Sequence, residues 1–164
     1  MSKKVILFLV IAGILPPLSI ADAQQAIFLV RHAEQSADVE DPPLTETGHR
    51  RAKALARMLK GAGVNVIYGS ELKRTIQTAE PLAKELNVQI KTMSRRDIDG
   101  LINRLRTEHA NDRVLIVSHA FTVPRLLKAL GYPVEITVGH SEYDNLFIVI
   151  PRADGQPTVV HFRY

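Results

Sequence analysis

The stretch that decides the fold is residues 26–32, which read Ala-Ile-Phe-Leu-Val-Arg-His. Its apolar run predicts a buried strand, and Arg31 and His32 follow at the carboxyl end of that strand. Residues 114–119, which read Val-Leu-Ile-Val-Ser-His, repeat the pattern and end on His119. Because open α/β sheets bind their ligands outside the carboxyl ends of the strands, both histidines are predicted to lie at one functional edge.

A third stretch, residues 70–79, is predicted to run from a strand end into a helix, and it carries Arg74. It reads Ser-Glu-Leu-Lys-Arg-Thr-Ile-Gln-Thr-Ala. Arginine presents a planar fork of donors and keeps its charge, which suits the oxygens of a phosphoryl group. An imidazole with one nitrogen held as a donor leaves the other nitrogen free to attack phosphorus. Two histidines and two arginines at one sheet edge therefore predict a phosphate site with a nucleophilic histidine.

Taken singly, each of these residues also fits a structural role. An arginine–histidine pair after a strand is usually a solvated strand end, and a histidine at a strand end often bonds a backbone carbonyl. An arginine in the first turn of a helix is usually a surface residue. The functional interpretation therefore depends on the residues occurring together and in this order.

Residues 1–23 are predicted to be a signal peptide that is cleaved after Ala23, which leaves one domain of residues 24–164. A basic start, an apolar run over residues 5–15 and the sequence Ala-Asp-Ala before the cut are the features of such a peptide. The apolar run is shorter than the roughly 20 residues that a bilayer core needs, which disfavours the alternative of a membrane anchor. The mature chain is therefore expected to be periplasmic or secreted, with no stable membrane anchor.

The composition excludes several classes of function. The chain contains no cysteine, which excludes structural disulfides and thiolate chemistry. Its formal net charge of +4 suits an anionic small molecule, but the basic residues are too few and too scattered for a nucleic-acid surface. The histidines show no metal-ligand spacing such as His-x-x-x-His, so neither a metal nor an organic cofactor is expected.

Strand and helix patterns alternate along the mature chain, which predicts an α/β fold. The expected architecture is a three-layer sandwich in which helices flank a mostly parallel central sheet. Strands are predicted over residues 26–30, 65–68, 88–92 and 113–117, and helices over residues 47–60, 73–86, 96–109 and 121–130. Pro81 predicts a kink or a late start in the second helix. The tail contains three β-like runs, at residues 134–138, 145–150 and 158–162.

Four segments, in this order, resemble the histidine phosphatase superfamily, which includes the cofactor-dependent phosphoglycerate mutases. They are Arg-His-Ala-Glu at 31–34, Leu-Thr-Glu-Thr-Gly-His-Arg-Arg-Ala at 44–52, the stretch at 70–79, and Val-Ser-His-Ala at 117–120. They are similar to the family's Arg-His-Gly, Leu-Thr-x-x-Gly-x-x-Gln-Ala, Ser-x-Leu-x-Arg-Thr-x-x-Thr-Ala and second-histidine motifs. The resemblance implies a phosphoglycerate mutase-like fold in which His32 is the phosphorylated nucleophile. It also implies that Arg31 and Arg74 bind the phosphoryl group and that His119 completes the pocket.

The chain departs from the family's pattern at several positions. Ala33 and Ala120 stand where glycine is usual, and their methyl groups are predicted to narrow the pocket. Arg51 replaces a glutamine, which we interpret as a change at the surface. The loop at residues 140–144 is predicted to border the pocket and to influence which substrate is accepted.

The general acid is the residue that the sequence determines least. Many members of the family place a glutamate after the third strand, whereas here that segment is short and reads Met-Ser-Arg-Arg-Asp-Ile-Asp-Gly at 93–100. The candidate acids are Glu34, Asp97 and Asp99, with the loop residues Asp38, Glu40 and Asp41 as competitors. Asp97 and Asp99 also fit a solvated helix start, where acidic residues interact favourably with the helix dipole.

Together these features predict a phosphohydrolase that forms a covalent phosphohistidine at His32. The substrate would be a phosphorylated small molecule or peptide, in the form of a phosphomonoester, a phosphoanhydride or a phosphohistidine. Leaving groups that need little protonation are favoured because no firm acid is found. One alternative is a catalytically weak module that binds phosphate or phosphopeptides. A phosphomutase is a further alternative, which the short segment at 93–100 and the predicted export disfavour.

Overall fold

The structure, a computed structural model, describes residues 25–37 and 40–164. The predicted signal peptide, residues 1–23, lies outside the described residues. Within the described ranges the chain forms six strands and four helices. The strands are β1 (Ala26–Arg31), β2 (Val66–Ser70), β3 (Ile90–Met93), β4 (Arg113–Ser118), β5 (Asn145–Ile150) and β6 (Thr158–Arg163). The helices are α1 (Glu46–Leu59), α2 (Lys73–Leu86), α3 (Ile98–Thr107) and α4 (Thr122–Ala129). No helix in these ranges has the length and apolar character needed to cross a membrane.

The strands form one sheet in the order β3-β2-β4-β1-β5-β6. The first four strands of the chain run parallel to one another, and each is connected to the next through a helix, as parallel pairing requires. β5 pairs antiparallel with β1, and β6 pairs antiparallel with β5. The prediction of an α/β fold with a mostly parallel sheet flanked by helices is confirmed.

The pairing of β1 with β4 fixes the position of the predicted site. Arg31 lies opposite Ser118 in the parallel register. The backbone N–H of His32 donates to the carbonyl oxygen of Ser118 at 2.9 Å, which extends the pairing beyond the end of β1. His32 and His119 are therefore delivered side by side at the carboxyl edge of the sheet.

Alternate residues of the central strands pack on opposite faces of the sheet. In β1, Ile27 and Leu29 belong to the core under α3 and α4, whereas Phe28 and Val30 belong to the core under α1 and α2. A fully buried side chain of this kind contributes about 1.5–3 kcal/mol relative to an exposed one. Burial on both faces explains why β1 has a continuous apolar sequence instead of an alternating one.

The start of α1 packs closely against the backbone that follows His32. Thr45 caps the helix, since its Oγ1 accepts the N–H of Gly48 at 3.1 Å. The N–H of Thr45 donates to the carbonyl oxygen of Glu34 at 2.9 Å. A Cβ on Gly48 would collide with that same carbonyl oxygen. Glycine at position 48 therefore allows the helix to approach the first loop of the site.

Two expectations about secondary structure are wrong. Residues 134–138 form no strand, because Ile136 and Val138 pack against the core under α3 and α4 instead of pairing with the sheet. The alternation of this run thus reflects the burial of one side of an irregular segment. Of the two effects predicted for Pro81, the late start is wrong, because α2 starts at Lys73 and continues past the proline.

Gly48→Ala is expected to lower the free energy of unfolding by about 1–3 kcal/mol, because the added methyl group meets a backbone carbonyl. The measurement is the urea midpoint of the purified protein at unchanged m-value. Gly61→Ala is the matched control, since a Cβ there meets no atom within 4 Å. Equal midpoints for the two variants would contradict the packing argument.

Candidate active site

The two predicted histidine rings lie next to each other. The ring centroids of His32 and His119 are 5.3 Å apart, and the ring planes meet at 63°. The two residues are only 4% and 2% exposed, respectively. Imidazoles this deeply buried lose much of the hydration that stabilises their charged form. The uncharged form of both imidazole rings is therefore favoured in this site.

The ring of His32 is oriented by its own turn. Its Nδ1 lies 2.8 Å from the carbonyl oxygen of Ala33, which can only accept a hydrogen bond. Nδ1 therefore carries the proton, and Nε2 keeps a free electron pair. Burial is the main reason that the pKa of His32 falls to about 3; the hydrogen bond to Ala33 opposes this fall, and the nearby positive charges contribute to it. At neutral pH the ring is uncharged and chemically able to act as a nucleophile.

The alanines at the family's glycine positions are accommodated by packing. The methyl group of Ala33 packs with Leu44 and Ala52 in a small buried cluster. The N–H of Ala33 donates to Oγ1 of Thr78 at 2.9 Å, which fixes the turn after His32 to α2. Ala120 packs against the core under α3 and α4. The methyl groups thus pack against the core, whereas the prediction was that they narrow the pocket.

Arg31 is held by the segment between α4 and β5. Its Nη1 donates to the carbonyl oxygens of Gly139, His140 and Glu142 at 2.9, 2.8 and 3.1 Å. The ring of Tyr143 lies 3.9 Å from the guanidinium carbon, in cation–π contact. The buried Nε of Arg31 has no hydrogen-bond partner among the described residues. The loop predicted to border the pocket therefore holds Arg31 and leaves one of its N–H groups available.

Arg74 lies in the first turn of α2, next to the carboxyl end of β2. Its buried Nε likewise lacks a hydrogen-bond partner in the part of the chain that the structure describes. Oδ1 of Asp41 lies 3.9 Å from Nη1 of Arg74 and accepts the backbone N–H of Lys73 at 3.1 Å. The charge of Arg74 lowers the pKa of both site histidines. The structure thus gathers two guanidinium groups around the two rings.

His119 is surrounded by cations and by one hydroxyl group. Burial is the main cause that lowers the pKa of His119 to about 4, followed by the charges of Arg74 and Arg95. Its Nε2 lies 3.0 Å from Oγ of Ser70. The exposed ring of Phe121 stacks on the imidazole with a centroid separation of 5.9 Å. In the absence of a ligand, His119 is therefore neutral at pH 7.

Glu34, one of the candidate acids, is committed to an ion pair. Its carboxylate accepts Nε of Arg51 at 2.9 Å and Nη2 of the same residue at 2.7 Å. Burial raises the pKa of Glu34, but the hydrogen bonds and charge of Arg51 outweigh this, so the pKa lies below its usual value. Nη1 of Arg51 also donates to the carbonyl oxygen of Tyr164 at 2.9 Å. The interpretation of Arg51 as a surface change is wrong, because it joins α1, the first loop and the end of β6.

The other candidate acids lie away from the rings. Oδ1 of Asp97 accepts the N–H of Gly100 at 2.9 Å and caps α3, and Asp99 is exposed in the first turn of that helix. Glu40 is exposed, and Asp38 lies outside the described residues. Within residues 25–37 and 40–164, no carboxylate hydrogen-bonds to either site histidine, and no three His, Asp or Glu side chains lie close enough to share a metal ion.

Three residues near the rings escaped the reasoning from sequence. They are Ser70, Arg95 and Tyr143. Ser70 is the first residue of the stretch at 70–79, but the motif does not indicate which residue it contacts. Arg95 lies in the segment at 93–100, where only acidic residues were predicted to act, and Tyr143 lies in the loop that was predicted to border the pocket. Its ring centroid is 6.1 Å from that of His32.

Part of the chain matches a known protein family. The family model described as the histidine phosphatase superfamily (branch 1) matches residues 27–97, which include Arg31, His32 and Arg74. This part of the chain is therefore similar in sequence to the histidine phosphatase superfamily. The superfamily match ends before β4, so the second histidine is placed by the structure and its own short motif.

Curated relatives match this chain over part of their length. Probable phosphoglycerate mutase GpmB of Proteus mirabilis is 38% identical over 81 residues, which are 44% of this chain and 38% of that protein. Phosphoserine phosphatase 1 of Hydrogenobacter thermophilus is 39% identical over 71 residues, which are 39% of this chain and 34% of that protein. The chain therefore spans less than half the length of these relatives.

Solved structures of other proteins share the fold over most of the chain. The protein histidine phosphatase SixA complexed with tungstate superposes with a TM-score of 0.70 at 22% identity, covering 84% of this chain and 96% of that one. A mycobacterial glucosyl-3-phosphoglycerate phosphatase superposes with a TM-score of 0.66 at 14% identity, covering 85% and 97%. The predicted phosphoglycerate mutase-like fold is confirmed.

Arg95→Gln is expected to raise the pKa of His119, because removing a nearby positive charge makes protonation of the imidazole less unfavourable. The measurement is the midpoint of the His119 ring resonances in an NMR titration of the unliganded protein. Arg96→Gln removes the same charge from the next, exposed residue and is the matched control. An unchanged midpoint in Arg95→Gln, or an equal rise in both variants, would contradict the placement of Arg95 beside His119.

Proposed function

We propose that this protein is a phosphohydrolase that removes a phosphoryl group through a covalent phosphohistidine at His32. The observation that carries the proposal is the orientation of His32, whose Nδ1 is bonded to the carbonyl oxygen of Ala33 and whose Nε2 is left free. The ring of His119 lies 5.3 Å away, and the charges of Arg31 and Arg74 act on the His32 ring and lower its pKa. A phosphate monoester carries about two negative charges near neutral pH, which two fixed positive charges match. A relative named phosphoserine phosphatase 1 supports the same class of reaction.

The two arginines supply the binding part of the proposal. In each, the buried Nε–H has no partner among the described residues, although such an unmade bond costs about 1–3 kcal/mol. A phosphoryl oxygen is an acceptor that would satisfy these donors, and its bond to a charged donor is short and strong. Arg31 and Arg74 are therefore assigned to the non-reacting oxygens of the phosphoryl group.

The reaction is written in two steps. In the first, Nε2 of His32 attacks phosphorus in line, the N–P bond forms, and the leaving group departs with the electron pair of its bond to phosphorus. The proton on Nδ1 stays in its bond to the carbonyl oxygen of Ala33. In the second, water attacks phosphorus, a proton is released, and the N–P electron pair returns to Nε2 with the formation of inorganic phosphate.

The acids of the site indicate which substrates react well. Glu34 is ionised and paired with Arg51, and Asp97 caps a helix, so neither is free to protonate a leaving group. Substrates whose leaving groups need little protonation are therefore favoured. Phosphohistidine, phosphoanhydrides and activated phosphomonoesters meet this condition. A phosphorylated small molecule and a phosphorylated peptide are both compatible with it.

The second candidate is a module that binds phosphate or phosphopeptides with little turnover. The engagement of Glu34 by Arg51 favours it, because a site without an available acid binds an ordinary phosphomonoester more readily than it cleaves one. A phosphomutase remains a third candidate, suggested by the relatives named probable phosphoglycerate mutase. Turnover of an activated ester separates the first two, and transfer of the phosphoryl group to an added alcohol or acid identifies the third.

We also propose that residues 1–23 direct export and are removed after Ala23. The basic start and the apolar run of the sequence support this location. Intact mass and N-terminal sequencing of the protein recovered from the periplasm or the medium test it. An uncleaved N-terminus, or retention of the protein inside the cell, would refute the proposal.

His32→Ala is expected to lower the turnover of p-nitrophenyl phosphate by more than about 100-fold, because it removes the nucleophile. The rate is measured with the processed protein between pH 4 and pH 8, together with the amount of labelled protein trapped by rapid acid-free denaturation. The label is expected to be labile in acid and stable in alkali, as a phosphoramidate is, and to be missing in His32→Ala.

His49→Ala is the control, since this histidine lies on α1 and makes no side-chain hydrogen bond to a described residue. Saturable binding of the ester without turnover by the wild type would support the binding module. A label that resists acid would point to a serine or threonine ester and would overturn the role of His32.

Arg74→Ala is expected to weaken competitive inhibition by inorganic phosphate roughly 10- to 100-fold, because a hydrogen bond to a charged group contributes about 1.5–3 kcal/mol. The inhibition constant is measured against p-nitrophenyl phosphate. Arg125→Ala is the control, since this exposed arginine lies on α4. Equal inhibition constants for the wild type and Arg74→Ala would remove Arg74 from the phosphate site.

A further inference from the structure

Ser70 and Thr75 form a buried hydroxyl pair next to His119 that the reaction above does not use. Ser70 ends β2 and is 4% exposed, and Thr75 lies in the first turn of α2 and is 0% exposed. Nε2 of His119 lies 3.0 Å from Oγ of Ser70, which lies 3.0 Å from Oγ1 of Thr75. Polar groups buried this deeply are expected to find hydrogen-bond partners within the protein.

The protons of this chain can be assigned by counting donors and acceptors. Thr75 has one hydroxyl proton, and the carbonyl oxygens of Leu72 and Ser70 lie 2.8 and 3.0 Å from its Oγ1. Because carbonyl oxygens only accept, the Thr75 proton goes to one of them. The proton of Ser70 can then go to Oγ1 of Thr75 or to Nε2 of His119, and only the first choice places a hydrogen in both of the 3.0 Å contacts that Ser70 makes. Oγ of Ser70 also receives the N–H of Leu72 at 3.3 Å.

The position of the hydrogen on the ring of His119 follows from this assignment. Once Ser70 has given its proton to Thr75, its Oγ can only accept from His119, so Nε2 of His119 carries a proton. Nδ1 of His119 has no hydrogen-bond partner among the described residues. Nδ1 is therefore the nitrogen that holds the electron pair in the neutral ring and the second proton in the charged ring.

We propose that Ser70, supported by Thr75, is the positioning residue of His119, and that it keeps Nδ1 as the atom that exchanges a proton with the bound phosphoryl group. The inference rests on the proposed function, since it names the proton acceptor of the same site. When a phosphoryl group binds with one proton, that proton moves from its oxygen to Nδ1. The pocket then holds a phosphoryl dianion beside an imidazolium, and no proton is gained or lost.

Loss of the Ser70 hydroxyl has two consequences. The ring of His119 loses the contact that fixes its angle, and its neutral form is no longer restricted to the tautomer with hydrogen on Nε2. A ring with hydrogen on Nδ1 cannot take a proton from the phosphoryl group at that atom. Ser70→Ala is therefore expected to lower kcat about 10- to 100-fold, while KM changes less than about 3-fold because the two arginines still hold the substrate.

The first measurement is the tautomer of His119 in the unliganded protein, taken from long-range nitrogen–proton correlations of the histidine rings at neutral pH. The wild type is expected to carry hydrogen on Nε2, and Ser70→Ala to show a mixture of tautomers. In Thr75→Val the proton of Ser70 loses its acceptor and is expected to go to Nε2 of His119, which moves the ring hydrogen to Nδ1. Thr75→Ser keeps the hydroxyl group and is expected to restore the wild-type tautomer.

The second measurement is the effect of the same variants on kcat and KM for p-nitrophenyl phosphate. Thr122→Val is the matched control, because it removes a buried hydroxyl that has no hydrogen-bond partner among the described residues. Thr75→Val is expected to lower kcat in the same direction as Ser70→Ala, and Thr75→Ser and Thr122→Val to leave it within about 3-fold of the wild type.

The outcomes separate the inference from the proposed function. A wild-type ring with hydrogen on Nδ1, or an unchanged tautomer in both Ser70→Ala and Thr75→Val, overturns the role of Ser70 whether or not the protein is an enzyme. A loss of kcat in Thr122→Val equal to that in Ser70→Ala also overturns it, because any buried hydroxyl would then suffice. If Ser70→Ala does not fold, the Thr75→Val and Thr75→Ser pair decides the question. Absence of turnover in the wild type refutes the proposed function but leaves the tautomer test intact.

Discussion

The site depends on the parallel pairing of β1 with β4. This pairing sets Arg31 opposite Ser118, and one further backbone bond from His32 continues it past the end of the strand. A slip of one residue would carry His32 about 3.3 Å along the sheet, which is comparable to the reach of a reacting contact. It would also turn each side chain of β1 toward the opposite face of the sheet and so disrupt both cores. The packing of the sheet therefore also fixes the geometry of the site.

Burial and positive charge act in the same direction on both imidazoles. Burial is the main cause in each case, and it lowers the pKa to about 3 for His32 and about 4 for His119. The same burial leaves the Nε–H groups of Arg31 and Arg74 without partners among the described residues. An anion bound between these groups would satisfy the donors and, by its charge, raise the pKa of the neighbouring rings. The ligand thus changes the protonation of its own site, and His119 becomes a cation only when there is negative charge for it to face.

The sequence predicts the features that arise from neighbouring residues, and it misses the contacts that join distant parts of the chain. The buried strands, the histidines at their ends and the arginine of the stretch at 70–79 follow from runs of neighbouring residues, and the structure places them together. The partnership of Arg51 with Glu34 and the contact of Tyr143 with Arg31 join segments far apart in the chain, and no local pattern records them. The run at 134–138 was wrongly predicted to be a strand. Its alternation of apolar and polar residues shows that one side of the segment is buried, but it does not distinguish pairing in a sheet from packing on a core. Ser70 is an intermediate case. The sequence shows that it belongs to a motif, but it does not show that its partner is His119, which follows another strand.

The part of the chain beyond the family match is needed to build the site, and its role can be traced through charges. The carbonyl oxygens of residues 139–142 hold Arg31, and that segment is itself closed by Glu142, whose Oε2 accepts the N–H of Gly139 at 2.8 Å. Arg163 at the end of β6 donates to Glu142 at 2.9 Å and to Asp144 at 3.0 Å. The antiparallel strands added to the sheet therefore hold the loop, and the loop holds Arg31. Because these outer ion pairs are exposed to solvent, water screens them and they add little to the stability of the fold. Their importance lies in the geometry that they give Arg31, a residue whose binding partner must approach from a fixed direction.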